Sequence, residues 1–169
     1  MNMAIEEINT TTTNALLSNA NVTNPRYNRD QFDKYIEADD IRSYAKIAKL
    51  NGDNELDALA IVDRYAYITN MLCTTFILEI QSIKSKMGHG RMLLEHIIET
   101  YDNVWLLADP SADDSLKDYY RSFENLIEYT IKSKRYSDDV QDISFFISKK
   151  FTRSNLRTLY NYINATFIE

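Results

Sequence analysis

In Ile80-Gln81-Ser82-Ile83-Lys84-Ser85-Lys86-Met87-Gly88-His89-Gly90-Arg91-Met92-Leu93-Leu94 the hydrophobic period of the chain changes. Upstream, Phe76, Leu78, Ile80 and Ser82 alternate onto one face, as a strand requires. From Gly90 onward Leu94, Ile97, Ile98 and Tyr101 recur at helical spacing. The stretch therefore reads as strand, basic glycine loop, helix. The whole chain holds only 3 glycines, and two of them, Gly88 and Gly90, stand here as G-x-G. Glycines this scarce are expected where a side chain would obstruct something. A helix N-terminus carries unpaired N–H groups and a partial positive charge, so it accepts anions. Lys84, Lys86 and Arg91 add charge to the loop. The sequence has no Gly-x-x-x-x-Gly-Lys-Ser/Thr, and the third glycine of a dinucleotide fingerprint is absent.

Working outward, the third glycine lies in Asn51-Gly52-Asp53-Asn54, a turn signal. Before it, Phe32, Ile36, Ile41, Tyr44, Ile47 and Ala48 have helical spacing, and Asp39-Asp40 can divide them into two helices. After the turn, three strands are expected at about 57–64, 65–72 and 74–84. Beyond the glycine helix, Asn103–Asp109 is a short apolar run closed by Pro110, consistent with a buried strand. Asp113 or Asp114 can cap a helix with the face Leu116, Tyr119, Tyr120, Phe123 and Ile127. Strands are expected at 128–134 and 140–149, and Ser154 opens a last amphipathic helix with Leu156, Leu159, Tyr160, Ile163 and Phe167. Residues 1–28 are rich in Asn and Thr, with the run Thr10-Thr11-Thr12-Thr13, and read as a polar arm outside a single domain at 29–169. The order predicts a mixed α/β (α+β type) domain.

The 169 residues suffice for one domain with a proper core. Acids outnumber bases by 25 to 19, a net charge of −6, which argues against general binding to a nucleic-acid backbone. It suits a cationic substrate. No apolar stretch approaches the roughly 20 residues of a membrane span, and residues 1–13 have no apolar signal core, so no membrane partner is expected. The single cysteine, Cys73, cannot form an internal disulfide, which together suggests a cytoplasmic protein.

Gly88-His89-Gly90-Arg91-Met92-Leu93-Leu94-Glu95-His96-Ile97-Ile98-Glu99 resembles the acyl-CoA loop and helix of the GNAT superfamily of N-acyltransferases. In that family the loop reads Arg/Gln-x-x-Gly-x-Gly/Ala and a Leu-Leu pair follows. Val104–Asp109 resembles the next strand, Tyr120 falls on the family's helical tyrosine, and Asp142–Lys150 resembles the closing strand. The resemblance covers about 74–150. Ser85 stands in place of the Arg or Gln, Asp113 stands where Asn is usual, and Phe123-Glu124-Asn125-Leu126 replaces the usual Gly-Phe.

The resemblance implies a splayed, mixed central sheet flanked by helices, with acetyl-CoA as cosubstrate and a primary amine as acceptor. Ile83, Lys84, Ser85, Lys86, Met87, Gly88, His89, Gly90 and Arg91 would then form the cofactor loop. The acceptor would be a small molecule, a protein lysine or an N-terminus, attacking the thioester in a ternary complex. Tyr120 is the implied acid for the leaving thiolate, with Tyr119 next in register. Glu79 and Asp109, on strands bordering the implied cleft, are candidate bases beside a water chain. His89 either contacts phosphate or points at water. His96, seven residues on, lacks the i, i+4 spacing of a metal pair, so no metal is expected. Cys73 has no basic activator near it in sequence and reads as a small packed residue. The arm or the last helix can serve a homo-oligomer or a protein partner. The competing reading is a GNAT-like domain that has lost catalysis and acts as a structural or interaction module.

Overall fold

The computed structural model describes residues 4–37, 44–85, 88–108, 114–133 and 141–167. Seven strands form one open sheet of order β1-β2-β3-β4-β5-β7-β6. They are β1 (Ala4–Ile8), β2 (Ala45–Leu50), β3 (Leu56–Thr69), β4 (Leu72–Ser82), β5 (Val104–Leu107), β6 (Leu126–Ser133) and β7 (Gln141–Ser148). Five helices accompany them: α1 (Thr10–Asn19), α2 (Arg29–Ile36), α3 (His89–Thr100), α4 (Asp114–Arg121) and α5 (Arg153–Phe167). The mixed α/β class expected from the sequence is observed.

The chain divides into two compact units, Met1–Tyr65 with Phe76–Thr100, and Ala66–Thr75 with Tyr101–Glu169. In the first unit β1 pairs antiparallel with β2, Ala4 opposite Leu50 and Ile8 opposite Lys46. Residues 4–19 are therefore sheet and helix, not an arm. Asn9 caps α1 by accepting from Thr12 N at 2.8 Å, and the run Thr10-Thr11-Thr12-Thr13 forms the first turn of that helix. Thr13 and Leu17 are buried, and Ile8 and Leu17 join Phe32, Ile36, Leu59, Ile61 and Ile83 in one apolar cluster. The Asn/Thr composition hid a strand and a helix that bury Ile8, Thr13 and Leu17.

The helical spacing of Ile47 and Ala48 also misleads, because 45–50 is a strand with every residue buried. Without an exposed face it lacks the period of two that marks a strand. The division at Asp39-Asp40, together with Ile41, lies outside the described residues. The turn at 51–54 holds: Asn51 Oδ1 accepts from Asp53 N and Glu55 N, and the left-handed residue is Asn54 (φ 57°) rather than Gly52. The strands expected at 57–64 and 65–72 are one 14-residue strand, turning at Asn70 and Met71.

The second unit is built on β7, which pairs with β5 and β6, both antiparallel. Ile143 to Ser148 are buried without interruption, as in a strand covered on both faces. Phe145 stacks on Tyr129 and Phe146 packs against Tyr120, with ring centroids 5.6 and 5.3 Å apart. Trp105 Nε1 donates to Thr74 Oγ1 at 2.8 Å, and Thr74 Oγ1 in turn donates to Ala66 O. Trp105 is thus a core residue with its polar atom satisfied. Thr152 caps α5 through Asn155 N, and Leu159 and Ile163 are buried beneath that helix.

Candidate functional site

The glycine loop begins where β4 ends, and the first unit holds it from several sides. Ile83 is wholly buried and its N–H donates to Asp57 O at 2.8 Å. Its carbonyl accepts from Thr23 N and Asn24 N, both at 3.2 Å. Ser85 N donates to Thr23 Oγ1, and Asn24 Nδ2 donates to Ser82 O. The connection between α1 and α2 is therefore the brace of this loop. It satisfies the carbonyl of Ile83 and the amide of Ser85, while Asp57 O takes the Ile83 N–H, so neither amide is left to donate to a ligand in this arrangement.

Gly88 has φ +69°, a conformation glycine adopts without penalty. A Cβ there would meet nothing within 4 Å, and the same is true at Gly52. The expectation that these glycines relieve crowding is corrected: at Gly88 the need is conformational, and the space beside it is open. α3 follows at once, with Met92 N donating to Gly88 O at 3.1 Å as its first-turn bond. By helical geometry the amides of His89 and Gly90 precede that ladder and have no partner within the helix. The first turn contains no acidic residue. An anion could be received here.

The side-chain charges are arranged otherwise than the sequence suggested. Lys84 Nζ lies 3.2 Å from Asp57 Oδ1 and 3.2 Å from Glu55 Oε2. Its hydrogen bond to Asp57 holds its pKa above the ordinary lysine value. Its charge is thus already matched by two carboxylates. Lys49, 1% exposed, donates to Asp57 Oδ2 at 3.1 Å, and Asp57 is itself 2% exposed. Burial alone would raise the Asp57 carboxyl, but the hydrogen bonds from Lys49 and Lys84 outweigh it and hold the group below the usual carboxylate range.

The His89 side chain is turned inward rather than toward water. Its ring is buried, and Nδ1 stands 3.6 Å from Asp57 Oδ2 with no hydrogen-bond partner among the described residues. Burial lowers its pKa below the ordinary value; Asp57 pulls it up, and Lys49 and Lys84 push it down again. Arg91 Nη1 approaches Glu95 Oε1 at 3.7 Å, one turn along α3. Lys86, Met87 and Asp109 lie outside the described residues.

Sequence reasoning missed Asp57, Lys49 and Glu55. The available signal was a lone acid in Leu56-Asp57-Ala58-Leu59-Ala60 and a lone base in Ile47-Ala48-Lys49-Leu50, each inside an apolar run. Buried charges in such runs need partners, though the sequence does not say which. Glu79 is half-buried on β4. In the second unit Tyr120 is buried on α4 against Phe146, whereas Tyr119 is partly exposed. Ala108, at the end of β5, is buried and its N–H donates to Ser144 O at 2.9 Å.

Among the described residues no group of three or more His, Cys, Asp or Glu could hold a metal ion, and no helix is long and apolar enough to cross a membrane. No protein-family profile matches the sequence, and no curated protein matches it. Solved structures do match in shape. The ribosomal-protein-S18-alanine N-acetyltransferase of Escherichia coli superposes with a TM-score of 0.57 at 18% identity, over 88% of this chain and 94% of that one. The ribosomal-protein-alanine N-acetyltransferase of Brucella melitensis gives 0.54 at 13%, over 86% and 99%. A GNAT-family acetyltransferase of Staphylococcus aureus gives 0.51 at 16%, over 87% and 98%. The strand and helix order that surrounds the Gly88 loop is therefore the fold of the GNAT acetyltransferases.

Proposed function

We propose that this protein is an N-acetyltransferase that moves an acetyl group from acetyl-CoA to a primary amine. The observation that carries the reading is the left-handed Gly88 opening directly onto α3, with open space beside it and no acid in the first turn. The amides of His89 and Gly90 would hold the cofactor's diphosphate. Backbone donors dominate this account, because Lys84 is matched by Asp57 and Glu55. Ser85 in place of the family's Arg or Gln is compatible with such a site, since the missing side chain is not the main donor.

In the reaction the neutral amine nitrogen attacks the thioester carbonyl. The tetrahedral intermediate then collapses with cleavage of the C–S bond, and the CoA thiolate takes a proton. Tyr120 is the donor we assign to that thiolate, and the ammonium proton leaves beforehand to Glu79, Asp109 or a water chain. The test is release of free CoA thiol from acetyl-CoA across a panel of polyamines, lysine derivatives and peptide N-termini. Tyr120→Phe should lower turnover on the best amine by roughly a hundredfold or more while acetyl-CoA affinity stays unchanged. Unaltered turnover removes Tyr120 from the chemistry.

A second reading is favoured by one observation. The charges of Lys84 and Lys49 are consumed within the protein, as in a GNAT-like module that no longer needs them for a ligand. That reading expects no acetyl-CoA binding and a stable protein partner.

A further inference from the structure

The first turns of β3 against β2 are irregular. Lys49 stands opposite Ala58 and Leu50 opposite Leu56, so Asp57 has no counterpart in the ladder. A bulged residue is turned away from the direction its neighbours dictate. The Asp57 carboxylate here meets three elements of the first unit. Lys49 comes from β2, Lys84 from the segment directly after β4, and His89 is the first residue of α3. The Asp57 carbonyl also accepts from Ile83 N. One residue thus touches the chain on both sides of the glycine loop. Such a cluster is poorly explained as a stabilising device, because apolar replacements of buried ion pairs are often neutral or better.

We propose that Asp57 is the positioning residue of the anion-binding loop: it holds the loop's start through Lys84 and the Ile83 N–H and seats its carboxylate 3.6 Å from the buried His89 ring, so that the amides at the head of α3 are preset for a diphosphate. Asp57 acts through Lys84 and His89, not on the ligand. Lys49, buried on the other Asp57 oxygen, keeps the carboxylate in one orientation. The effect is preorganisation, in which a ligand binds more tightly because the loop is ordered beforehand. The identity of the ligand rests on the acetyl-CoA reading, whereas the fixing of the loop does not.

The test uses the full chain with Asp57→Asn, and with Asp57→Asn combined with Lys49→Met, which removes the ammonium that the single change would leave buried and unmatched. Three quantities are read: exchange of the amides of Ile83, Ser85 and Met92, which are bonded to Asp57 O, Thr23 Oγ1 and Gly88 O, the titration of the His89 ring by NMR, and acetyl-CoA affinity by calorimetry. His89 faces Asp57 from β3, Lys49 from β2 and Lys84 from the loop, so in Asp57→Asn its ring should titrate at lower pH than in the wild type. Loop exchange should rise and acetyl-CoA affinity fall, each by about tenfold or more, the size expected for losing a charged hydrogen-bond partner. Exchange at Phe145 and Phe146 on β7 should not change. The proposal is overturned if loop exchange and affinity both stay at wild-type values, if exchange rises equally at β7, or if both variants unfold. Selective loosening of the loop in a protein that does not bind acetyl-CoA would uphold the positioning role and remove the acetyl-CoA reading. Wild-type binding that is retained in a variant with a rigid loop would do the reverse.

Discussion

His89 stands among one carboxylate and two ammonium groups, and burial outweighs the pull of Asp57 on its ring. Its pKa in the folded chain is therefore below the unfolded value of about 6.5. Between those two values the unfolded chain binds a proton that the native chain does not, so stability rises with pH across that window and is lost as pH falls through it. Asp57 is held low, so its contribution is present above about 3.9 and fades further into acid, a separate window. His89→Gln should flatten the stability profile just below about pH 6.5 relative to the wild type, measured by urea unfolding. Superimposable profiles would show that burial does not lower the pKa of the ring. The sequence made His89 a loop residue with two outcomes, phosphate or water. The third outcome depends on Asp57, which lies 32 positions earlier and meets His89 only through the β3 bulge.

At the scale of elements, legibility followed the hydrophobic period. α3, β5, β6, β7 and α5 lie close to where the sequence placed them, whereas α4 ends at Arg121, so Phe123 falls outside the expected helix and Ile127 belongs to β6. β2 was not legible, because burial of all six residues removes the alternation and Lys46 and Lys49 look like a solvated face. β1 and α1 were read as an arm because the sequence between 4 and 19 offers few apolar residues. The structure uses nearly all of them, and Leu17 is buried in the core cluster of the first unit. Leu17→Ala should accordingly cost about 2–5 kcal/mol in chemical denaturation, as for other buried leucines. A loss near zero would return residues 4–19 to the role of an arm. The brace of Thr23 and Asn24 on Ile83 and Ser85 was likewise invisible, since it depends on backbone groups that carry no sequence signature.

For the molecule as a whole, a net charge of −6 and a cofactor rich in phosphate would be in conflict if the ligand met the average surface. The conflict disappears if backbone amides at the head of α3, not side-chain cations, receive the ligand, since Lys84 and Lys49 are already matched by Asp57 and Glu55 inside the first unit. The similarity to acetyltransferases of known structure concerns the fold, at 13–18% identity. The ligand must therefore be established on this chain itself. The most direct measurement is thermal unfolding with saturating acetyl-CoA, with AMP as control. At about 100 times the dissociation constant, binding to the native state adds roughly 2.7 kcal/mol. For a chain of this length that is a rise of about 5–10 °C in Tm. The account predicts that rise with acetyl-CoA and little with AMP. An unchanged Tm with acetyl-CoA would contradict it and leave a GNAT fold without its cofactor.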